Sequence, residues 1–418
     1  MSGDVDVVIV GAGSAGLSAA KEAARKGLSY VVVEASHRIG GRAYTEELAP
    51  GQPFDLGCHW MHSASLNPFV AIADQYGFAY RKHSTWDSRT WHRGAWLTDE
   101  QRQAMIASSD ADQEAIARAV ASGKDASLAD VVDMESPWRP YHAYWFSLSS
   151  SVDIDQTGVL DINAYNDTDE NWPVIKGYGA LVAAWASDVP VTLNSPVERI
   201  RLKDDGVEVV TKSGTVTGRT VLVTVSTNIL SSGAIAFEPG LPDWKQAAAL
   251  ELPLGTHNRI AIMLKDMPAG DTEGQRATVM LEDDEIPMTI EVGPYGLSHA
   301  VAVTGGRFGS WLERQGQQAS VDYLSERILT AFGNDMARHL TDRVIVTAWQ
   351  GDPWTLGSYS AALPGSHQQR AVLGRPIENR IFFAGEATST DFYSTCHGAY
   401  LSGIRAVNEV AEAVHSAT

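Results

Sequence analysis

The chain has 418 residues, and its net charge is −19 because 51 acidic residues outnumber 32 basic ones. A content of 44% hydrophobic and 20% charged residues excludes a disordered chain, a collagen or a coiled coil. The acidic balance argues against nucleic-acid binding, which needs a basic surface. The two cysteines, Cys58 and Cys396, are too few for a disulfide-rich scaffold.

Neither a targeting signal nor a membrane span is expected. Acidic Asp4 and Asp6 stand where a signal peptide would carry basic residues. No apolar run reaches the roughly 18 residues that a membrane-spanning helix needs. We therefore expect a cytoplasmic protein without a membrane partner, and the length predicts roughly two to three domains.

The N-terminus predicts a strand, a tight turn, a helix and a second strand. Apolar residues 5–10 precede a glycine-rich turn, residues 17–26 are typical of a helix, and 30–33 form a second apolar strand. This order and these lengths indicate one βαβ unit.

Further elements follow along the chain. An aromatic stretch at 138–146 favours core packing, with a ligand-facing role as the alternative. Helices are predicted at 98–121, 321–332 and 398–414, and strands at 191–193, 197–202, 207–211, 221–225, 255–264, 344–349 and 381–384, with two or three more within 277–303. The glycine-rich segments at both ends follow apolar strands, which indicates one nucleotide-binding domain assembled from distant pieces.

The first turn has the spacing of a phosphate-binding loop. Gly11, Gly13 and Gly16 allow the backbone to approach a pyrophosphate, and Ser14 and Ala15 open the helix whose N-terminus attracts anions. Glu34, followed by Ala35, ends the second strand, where a carboxylate can accept hydrogen bonds from ribose hydroxyls. The alternative is a glycine-rich turn without a ligand.

The segment after Glu34 identifies the nucleotide. Ile39-Gly40-Gly41-Arg42 resembles the extended dinucleotide motif of FAD proteins in the glutathione-reductase-like superfamily. In that superfamily the segment lies along the diphosphate, so Arg42 would add a bidentate phosphate contact. FAD is therefore favoured over NAD. The sequence has neither a second GxGxxG after a strand nor a CxxC pair, which argues against a pyridine-nucleotide disulfide reductase.

Five stretches closely resemble the flavin-containing amine oxidases, which include monoamine oxidases, polyamine oxidases and lysine-specific histone demethylases. They lie at 55–62, 195–200, 349–360, 382–389 and 395–406. The resemblance implies an α/β protein with a Rossmann-like FAD-binding domain (1–79, 174–248 and 352–418) and an α+β substrate-binding domain (80–173 and 249–351). The active site would lie between them.

The same resemblance implies the remaining cofactor contacts. They are Gly57, His59, Trp60 and Trp349 beside the flavin, Val197 at the adenine, and Gly385, Glu386, Thr395 and Ala399 near the flavin end. Monoamine oxidases attach FAD through a cysteine at the position of Ser358, so we expect non-covalent FAD here. Cys396 is not expected to bond the flavin.

Five residues are candidates for substrate handling: His62, Arg259, Trp354, Tyr359 and Thr395. Tyr359 and Trp354 match the aromatic wall that would hold an amine over the flavin, with core packing as the alternative for Tyr359. Thr395 stands where monoamine oxidases have a second aromatic wall, so the cavity resembles the polyamine oxidase and demethylase type. His62 matches a substrate-side position, and a purely structural histidine is the alternative.

Arg259 is the largest departure from the family. The usual residue there is a lysine that holds a water at flavin N5 and is linked to reoxidation. Arginine keeps the positive charge but cannot lose its proton. It could supply the electrostatics alone, slow the reaction with O₂, or pair with a substrate carboxylate. A surface position is the remaining alternative.

The favoured function is an FAD-dependent amine oxidase that uses O₂ and releases H₂O₂. The alternatives are a C–C desaturase or isomerase of the same fold, an amine dehydrogenase with slow O₂ reactivity, and an FAD-bearing protein without turnover. His59 and His62 have no third ligand at metal spacing, so no metal is expected. The substrate stays open between monoamines, polyamines and amino acids. The oligomeric state also stays open, with a homodimer as one option.

Overall fold

The computed structural model describes residues 5–82, 88–266, 275–282 and 286–416, so Asp4 lies outside the described residues. The strands, in chain order, are β1 (Val5–Val10), β2 (Tyr30–Val33), β3 (Thr45–Ala49), β4 (Gln52–Asp55), β5 (Trp60–Met61), β6 (Arg89–His92), β7 (Ala95–Trp96), β8 (Trp172–Pro173), β9 (Val191–Thr192), β10 (Val197–Lys203), β11 (Gly206–Thr211), β12 (Gly214–Val223), β13 (Ala236–Glu238), β14 (His257–Leu264), β15 (Gln275–Met280), β16 (Met288–Val292), β17 (His299–Gly305), β18 (Leu340–Val346) and β19 (Ile381–Phe383).

The α-helices, in chain order, are α1 (Ser14–Arg25), α2 (Pro68–Tyr76), α3 (Asp99–Ala121), α4 (Arg139–Ser150), α5 (Val159–Ala164), α6 (Tyr178–Trp185), α7 (Thr227–Ser232), α8 (Asp243–Leu250), α9 (Gly306–Gln315), α10 (Gln317–Phe332), α11 (Gln369–Gly374) and α12 (Cys396–Ser416). Within the described ranges, no helix combines the length and the apolar character that crossing a membrane requires.

The first sheet joins strands from both ends of the chain. Its order is β13-β10-β11-β12-β1-β2-β9, and β19 also pairs with β12. The pairs of β1 with β2 and β12, of β2 with β9, and of β12 with β19 are all parallel. Carboxyl ends of these strands therefore meet at one edge, which is where open α/β sheets bind ligands.

Both faces of this sheet are buried under helices. Along β1, Val7 and Ile9 pack with α1, α2, α6 and α12, whereas Val8 and Val10 pack with α7, α8 and α11. The alternation arises because successive strand side chains point to opposite faces. Burial on both faces explains why β1 from Val7 onward and β2 consist of apolar residues.

The second sheet is mostly antiparallel, with the order β18-β14-β17-β16-β15-β6-β7. On β14, Ile260, Ile262 and Leu264 pack against α9 and α10. Ala261 faces the other way, toward the β3–β4 hairpin. By the same alternation, His257 and Arg259 lie on the Ala261 face of the strand.

Most predicted elements are present with shifted ends. The strand predicted at 344–349 is β18, which ends at Val346, so Trp349 lies in the following turn. The strand predicted at 221–225 is β12, which begins earlier because its first half pairs with β11 despite its polar sequence. The region 277–303 carries parts of three strands, although residues 283–285 lie outside the described ranges.

Candidate active site

A cavity of about 900 Å³ is lined by both sheets. One end is formed by the carboxyl ends of β1 and β2, the turn before α1 and the start of α12. The other end is formed by β14, β16 and β17, together with α4 and residues 358–359. The cavity therefore connects the predicted nucleotide site with the predicted substrate site.

The glycine-rich turn is built for close backbone contact. Gly11 has φ +104°, and a Cβ there would lie 2.6 Å from Oγ1 of Thr224. A Cβ on Gly16 would lie 1.9 Å from the Gly11 carbonyl oxygen, so Gly16 brings the helix against the strand and does not line the cavity. A Cβ on Gly13 would meet open space, and Gly13 lines the cavity before the N-terminus of α1. Ser14 and Ala15 line it as well.

Glu34 lies at the carboxyl end of β2, beside Ala35 in the cavity wall. Its Oε2 accepts a hydrogen bond from the Ala12 amide at 2.6 Å, and its Oε1 accepts one from the Ser36 amide at 2.8 Å. Each oxygen of an ionised carboxylate has two acceptor sites, so both can also accept a ribose hydroxyl.

The Gly40-Gly41-Arg42 segment lies against the first turn. Gly40 has φ +95°, and its amide donates to the Ala12 carbonyl at 2.8 Å. Arg42 Nη1 donates to Oε1 of Glu386 at 2.9 Å and to the Ser358 carbonyl at 2.7 Å. A bidentate phosphate contact by Arg42 would therefore have to use its other two nitrogens.

Glu386 is the centre of a buried charge network. Burial would raise the pKa of its carboxyl, but Arg42, the Ser360 hydroxyl and Arg370 outweigh this effect and hold the pKa below its usual range. Oε2 accepts from the Ser360 hydroxyl at 2.6 Å and from the Ser394 amide at 2.9 Å. Glu386 and Gly385 thus connect the last strand of the sheet to the segment before α12.

The start of α12 faces the cavity through Thr395, Cys396 and Ala399. Thr395 Oγ1 donates to the Phe392 carbonyl at 2.6 Å and accepts from the Gly398 amide at 3.0 Å. The hydroxyl is therefore used to shape this turn. The remaining predicted cofactor residues also line the cavity: Gly57, His59, Trp60, Val197, Trp349, Gly385 and Glu386.

His59 is oriented by a buried carboxylate. Its Nδ1 lies 2.9 Å from Oδ2 of Asp55. The Asp55 carboxylate also accepts hydrogen bonds from the backbone amides of Tyr178 and Gly179. Burial and the neighbouring Arg259 lower the pKa of His59, against the effect of Asp55. Asp55 therefore connects the cavity wall to the start of α6.

Arg259 is a buried cation in the wall of the cavity. Arg259 is only 4% exposed and lines the cavity, which rules out the alternative that it lies on the protein surface. The guanidinium carbon lies 5.0 Å from the ring centre of Phe54 and 5.7 Å from that of Trp60. Among the described residues, Nε and Nη1 have no hydrogen-bond partner. Burial lowers the pKa of Arg259, but a guanidinium stays charged in a protein.

Tyr359 lines the cavity and contacts two groups through its hydroxyl. The Leu148 carbonyl accepts its hydrogen bond, and His257 Nδ1 lies 2.9 Å away. Burial raises the pKa of Tyr359, so the phenol stays protonated. His257 also lines the cavity, and burial lowers its pKa to about 4, with Arg259 contributing.

His62 and Trp354 occupy different depths of the site. His62 Nδ1 is hydrogen-bonded to Oδ1 of Asn171, and burial lowers the pKa of the ring. Trp354 is 43% exposed and lines the outer part of the cavity. Thr395 is not aromatic, but Tyr393 and Tyr165 line the same cavity, with their ring centres 5.4 Å apart.

Sequence reasoning missed several lining residues. They are Tyr165, Asn171, His257, Arg276, Glu291 and Tyr393. Arg276 and Glu291 form a 2.9 Å ion pair between neighbouring strands, which no spacing in the sequence reveals. The aromatic stretch 138–146 did contain a signal, because Trp145 and Phe146 line the cavity. Among the residues for which the structure gives positions, no three His, Cys, Asp or Glu side chains form a potential metal site.

Comparison with known proteins agrees with this architecture. The family model described as flavin containing amine oxidoreductase matches residues 14–139 and 97–411. Polyamine oxidase 4 of Oryza sativa subsp. japonica is 26% identical over 96% of this chain and 88% of its own length. Lysine-specific histone demethylase 2 of Homo sapiens is also 26% identical, over 97% of this chain but only 53% of its own length.

Two solved structures have the same fold. A putrescine oxidase double mutant with redesigned cofactor binding superposes with a TM-score of 0.80 at 17% identity, over 98% of this chain and 99% of the other. Cyclohexylamine oxidase from Brevibacterium oxydans IH-35A gives 0.79 at 20% identity, over the same shares. The expected fold class is thus confirmed: a Rossmann-like nucleotide-binding part combined with an α+β part.

The chain belongs to the flavin-containing amine oxidoreductases, and it is a flavin enzyme of this family. The residues present fit such a cofactor. Open space lies in front of Gly13 and the α1 N-terminus, Glu34 ends the second parallel strand, and Arg259 offers buried N–H groups without partners among the described residues. These groups match the requirements of a phosphate, a ribose and a ring whose nitrogen and oxygen atoms accept hydrogen bonds.

Proposed function

We propose that the protein is an FAD-dependent amine oxidase. It would oxidise the C–N bond of a small amine to an imine, which water hydrolyses, and it would reduce O₂ to H₂O₂. The observation that carries the proposal is the continuous cavity, which runs from the Gly13 and Glu34 end to the wall formed by Arg259 and Tyr359.

When bound, the flavin would take up a hydride equivalent from the carbon beside the amine nitrogen and pass the electrons to O₂. The chain's own residues supply position and environment. Tyr359 and Trp354 form aromatic surface beside the reacting amine, and burial behind them favours the uncharged amine. Arg259 would supply a fixed positive charge. His62, in the segment that follows β5, would also face the substrate.

FAD rather than another flavin is supported by the nucleotide-binding end. Gly11, Gly13, Ser14 and Ala15 would hold the diphosphate, and Glu34 would bind a ribose. We propose non-covalent binding, because the hydroxyl of Ser358 is engaged by the backbone of His257 and stands at the position of the linking cysteine in monoamine oxidases.

The domain division follows the two sheets. All strands of the first sheet lie within 1–79, 174–248 and 352–418, and all strands of the second lie within 80–173 and 249–351. We propose these segments as the FAD-binding and substrate-binding domains. A cytoplasmic location and a homodimer stay predictions, to be tested by cell fractionation and light scattering.

Arg259 favours one second candidate, an amine dehydrogenase that reacts slowly with O₂. The buried arginine keeps its proton, whereas the lysine usual in the family can exchange one with a bound water. The two candidates differ only in the fate of the reduced flavin.

An anaerobic titration of the flavin-loaded protein tests the proposal. The panel contains putrescine, spermidine, cyclohexylamine, tyramine, phenylethylamine and the common L-amino acids. We expect one amine class to bleach the oxidised flavin, with recovery of the colour and H₂O₂ formation when air is admitted. Bleaching without recovery would support the dehydrogenase. Bleaching by none of them would overturn both and favour the desaturase or the protein without turnover.

A further inference from the structure

His257 is held in one orientation by contacts on two sides. Its backbone amide donates to Oγ of Ser358 at 2.7 Å, and Ser358 Oγ donates to the His257 carbonyl at 2.9 Å. Its ring lies beside that of Tyr359, with the centres 5.5 Å apart. The residue sits at the start of β14, two positions before Arg259, so the two side chains lie on the same face of the strand.

The hydrogen bonds at Nδ1 determine the tautomer. The Leu148 carbonyl can only accept, so the Tyr359 hydroxyl donates its single proton there. His257 Nδ1 lies 2.9 Å from the Tyr359 oxygen and 3.3 Å from the Leu148 oxygen. Two lone pairs would face each other unless Nδ1 carries the proton. A neutral ring protonated at Nδ1 has an unprotonated Nε2, which is a hydrogen-bond acceptor.

Three further facts favour this acceptor as a contact for the substrate. His257 is partly exposed and lines the cavity, while its Nδ1 edge is covered by Tyr359 and Leu148. Arg259 on the same strand face has only donors. The Glu291 carboxylate at the cavity wall is already paired with Arg276.

We propose that His257 Nε2 accepts a hydrogen bond from the N–H of the substrate amine, and that it thereby selects primary and secondary amines over tertiary ones. The inference rests on the proposed amine oxidase function.

The chemistry makes this contact stronger as the reaction proceeds. The α C–H bond breaks, and its two electrons leave with the hydrogen while the nitrogen lone pair forms the C=N bond. The N–H group then belongs to a cationic iminium and becomes a better donor, since hydrogen bonds from charged groups are the stronger ones. A contact that strengthens in this way lowers the barrier more than it tightens substrate binding.

The test compares His257→Leu with His257→Gln in the flavin-loaded protein. Leucine removes the acceptor, and the Leu148 carbonyl keeps its bond from Tyr359, so the fold is not left with an unpaired group. Glutamine keeps an acceptor at similar reach. His299→Leu is the matched control, because His299 is another histidine near Arg259 whose pKa is lowered by burial to about 4, but it does not line the cavity.

The probes are phenylethylamine and N,N-dimethylphenylethylamine, or the same pair built on the panel amine that reduces the wild-type flavin fastest. Each rate constant of anaerobic flavin reduction is divided by the fraction of the amine that is uncharged at the assay pH, so that differences in amine pKa do not affect the comparison. We expect His257→Leu to slow reduction by the primary amine roughly 10-fold and by the tertiary amine less than about 2-fold, the scale of one hydrogen bond. His257→Gln should restore most of the loss, and His299→Leu should show no difference between the amines.

A binding measurement gives a second readout that does not depend on turnover. α,α-Dimethylbenzylamine has no α C–H bond, so it can bind without reacting. By calorimetry, His257→Leu should weaken its binding relative to that of its N,N-dimethyl derivative. An equal loss of affinity for both amines, or no loss for either, would overturn the proposed role of His257. If the wild-type protein still oxidises amines, the proposed function would stand. A wild-type flavin that no amine reduces would overturn both.

Discussion

The two ends of the cavity differ in how their polar groups are satisfied. At the nucleotide end, Glu34 accepts backbone amides and Arg42 is paired with Glu386. At the other end, Arg259 has buried nitrogens without partners among the described residues, and His257 lines the cavity beside it. Because unpaired buried polar groups cost free energy, those at the second end are the ones that a ligand would satisfy.

The largest expected effects distinguish Gly13 and Gly16 at the start of α1, one through cofactor binding and the other through stability. Gly16→Ala would bring a Cβ within 1.9 Å of the Gly11 oxygen, so we expect the apoprotein itself to lose several kcal/mol of stability. Gly13→Ala meets no protein atom within 4 Å but faces the cavity. It should leave apoprotein unfolding unchanged and weaken FAD binding roughly 100-fold, about 2.7 kcal/mol.

Thermal unfolding of the apoprotein and titration with FAD measure these two effects separately. Gly27→Ala, at the opposite end of α1, is the control and should bind FAD normally, since Gly27 does not line the cavity. Normal FAD affinity in Gly13→Ala would show that the cofactor does not lie on this turn.

Glu386→Gln should lower the free energy of unfolding by about 3 kcal/mol, because it removes the buried carboxylate that pairs with the partly buried Arg42. Glu238→Gln removes an exposed ion pair with Arg199 and Arg201, and because solvent screens that pair it should change stability much less. The first effect depends on pH. Since the pKa of Glu386 is held low, its carboxylate stabilises the fold above about pH 4.3, and this contribution disappears as the pH falls through the folded-state pKa.

Denaturant unfolding from neutral to acidic pH measures that difference. The stabilities of wild type and Glu386→Gln should converge on acidification, whereas Glu238→Gln should follow the wild type throughout. A gap that stays constant with pH would contradict the ion-pair explanation.

Arg259→Lys should speed the reaction of reduced flavin with O₂ roughly 10-fold, because lysine can exchange a proton where arginine cannot. Stopped-flow mixing of the reduced protein with aerated buffer gives the rate directly. An unchanged rate would contradict the idea that the missing proton exchange slows reoxidation, and would leave a purely electrostatic role or a pairing with a substrate carboxylate for Arg259.

Tyr359 offers the smallest contrast. Tyr359→Phe keeps the aromatic surface, and His257 Nδ1 can still donate to the Leu148 carbonyl 3.3 Å away, so flavin reduction should slow less than about 3-fold. Tyr359→Leu removes the aromatic surface and should slow it roughly 10-fold, consistent with the size of aromatic contributions. Equal rates in the two variants would exclude an aromatic wall at this position.

The nucleotide end could be predicted from sequence because its parts are local. Gly11, Gly13 and Glu34 belong to one strand–turn–helix–strand unit whose geometry follows from glycine conformations and apolar strand composition. Even there, the partner of Arg42 was not predicted, because Glu386 lies in a distant segment and reaches it only through the pairing of β19 with β12.

The sequence by itself determined the nucleotide-binding turn, the family resemblance and the identity of Arg259. Only the tertiary structure decided that Arg259 is buried and that His257, Tyr359 and Leu148 meet, since three distant segments must pack together before their side chains touch. The physical reason is that the conformation of a glycine-rich turn and the alternation of side chains along a strand depend on residues close in sequence, whereas the surroundings of a side chain depend on which strands and helices lie opposite it.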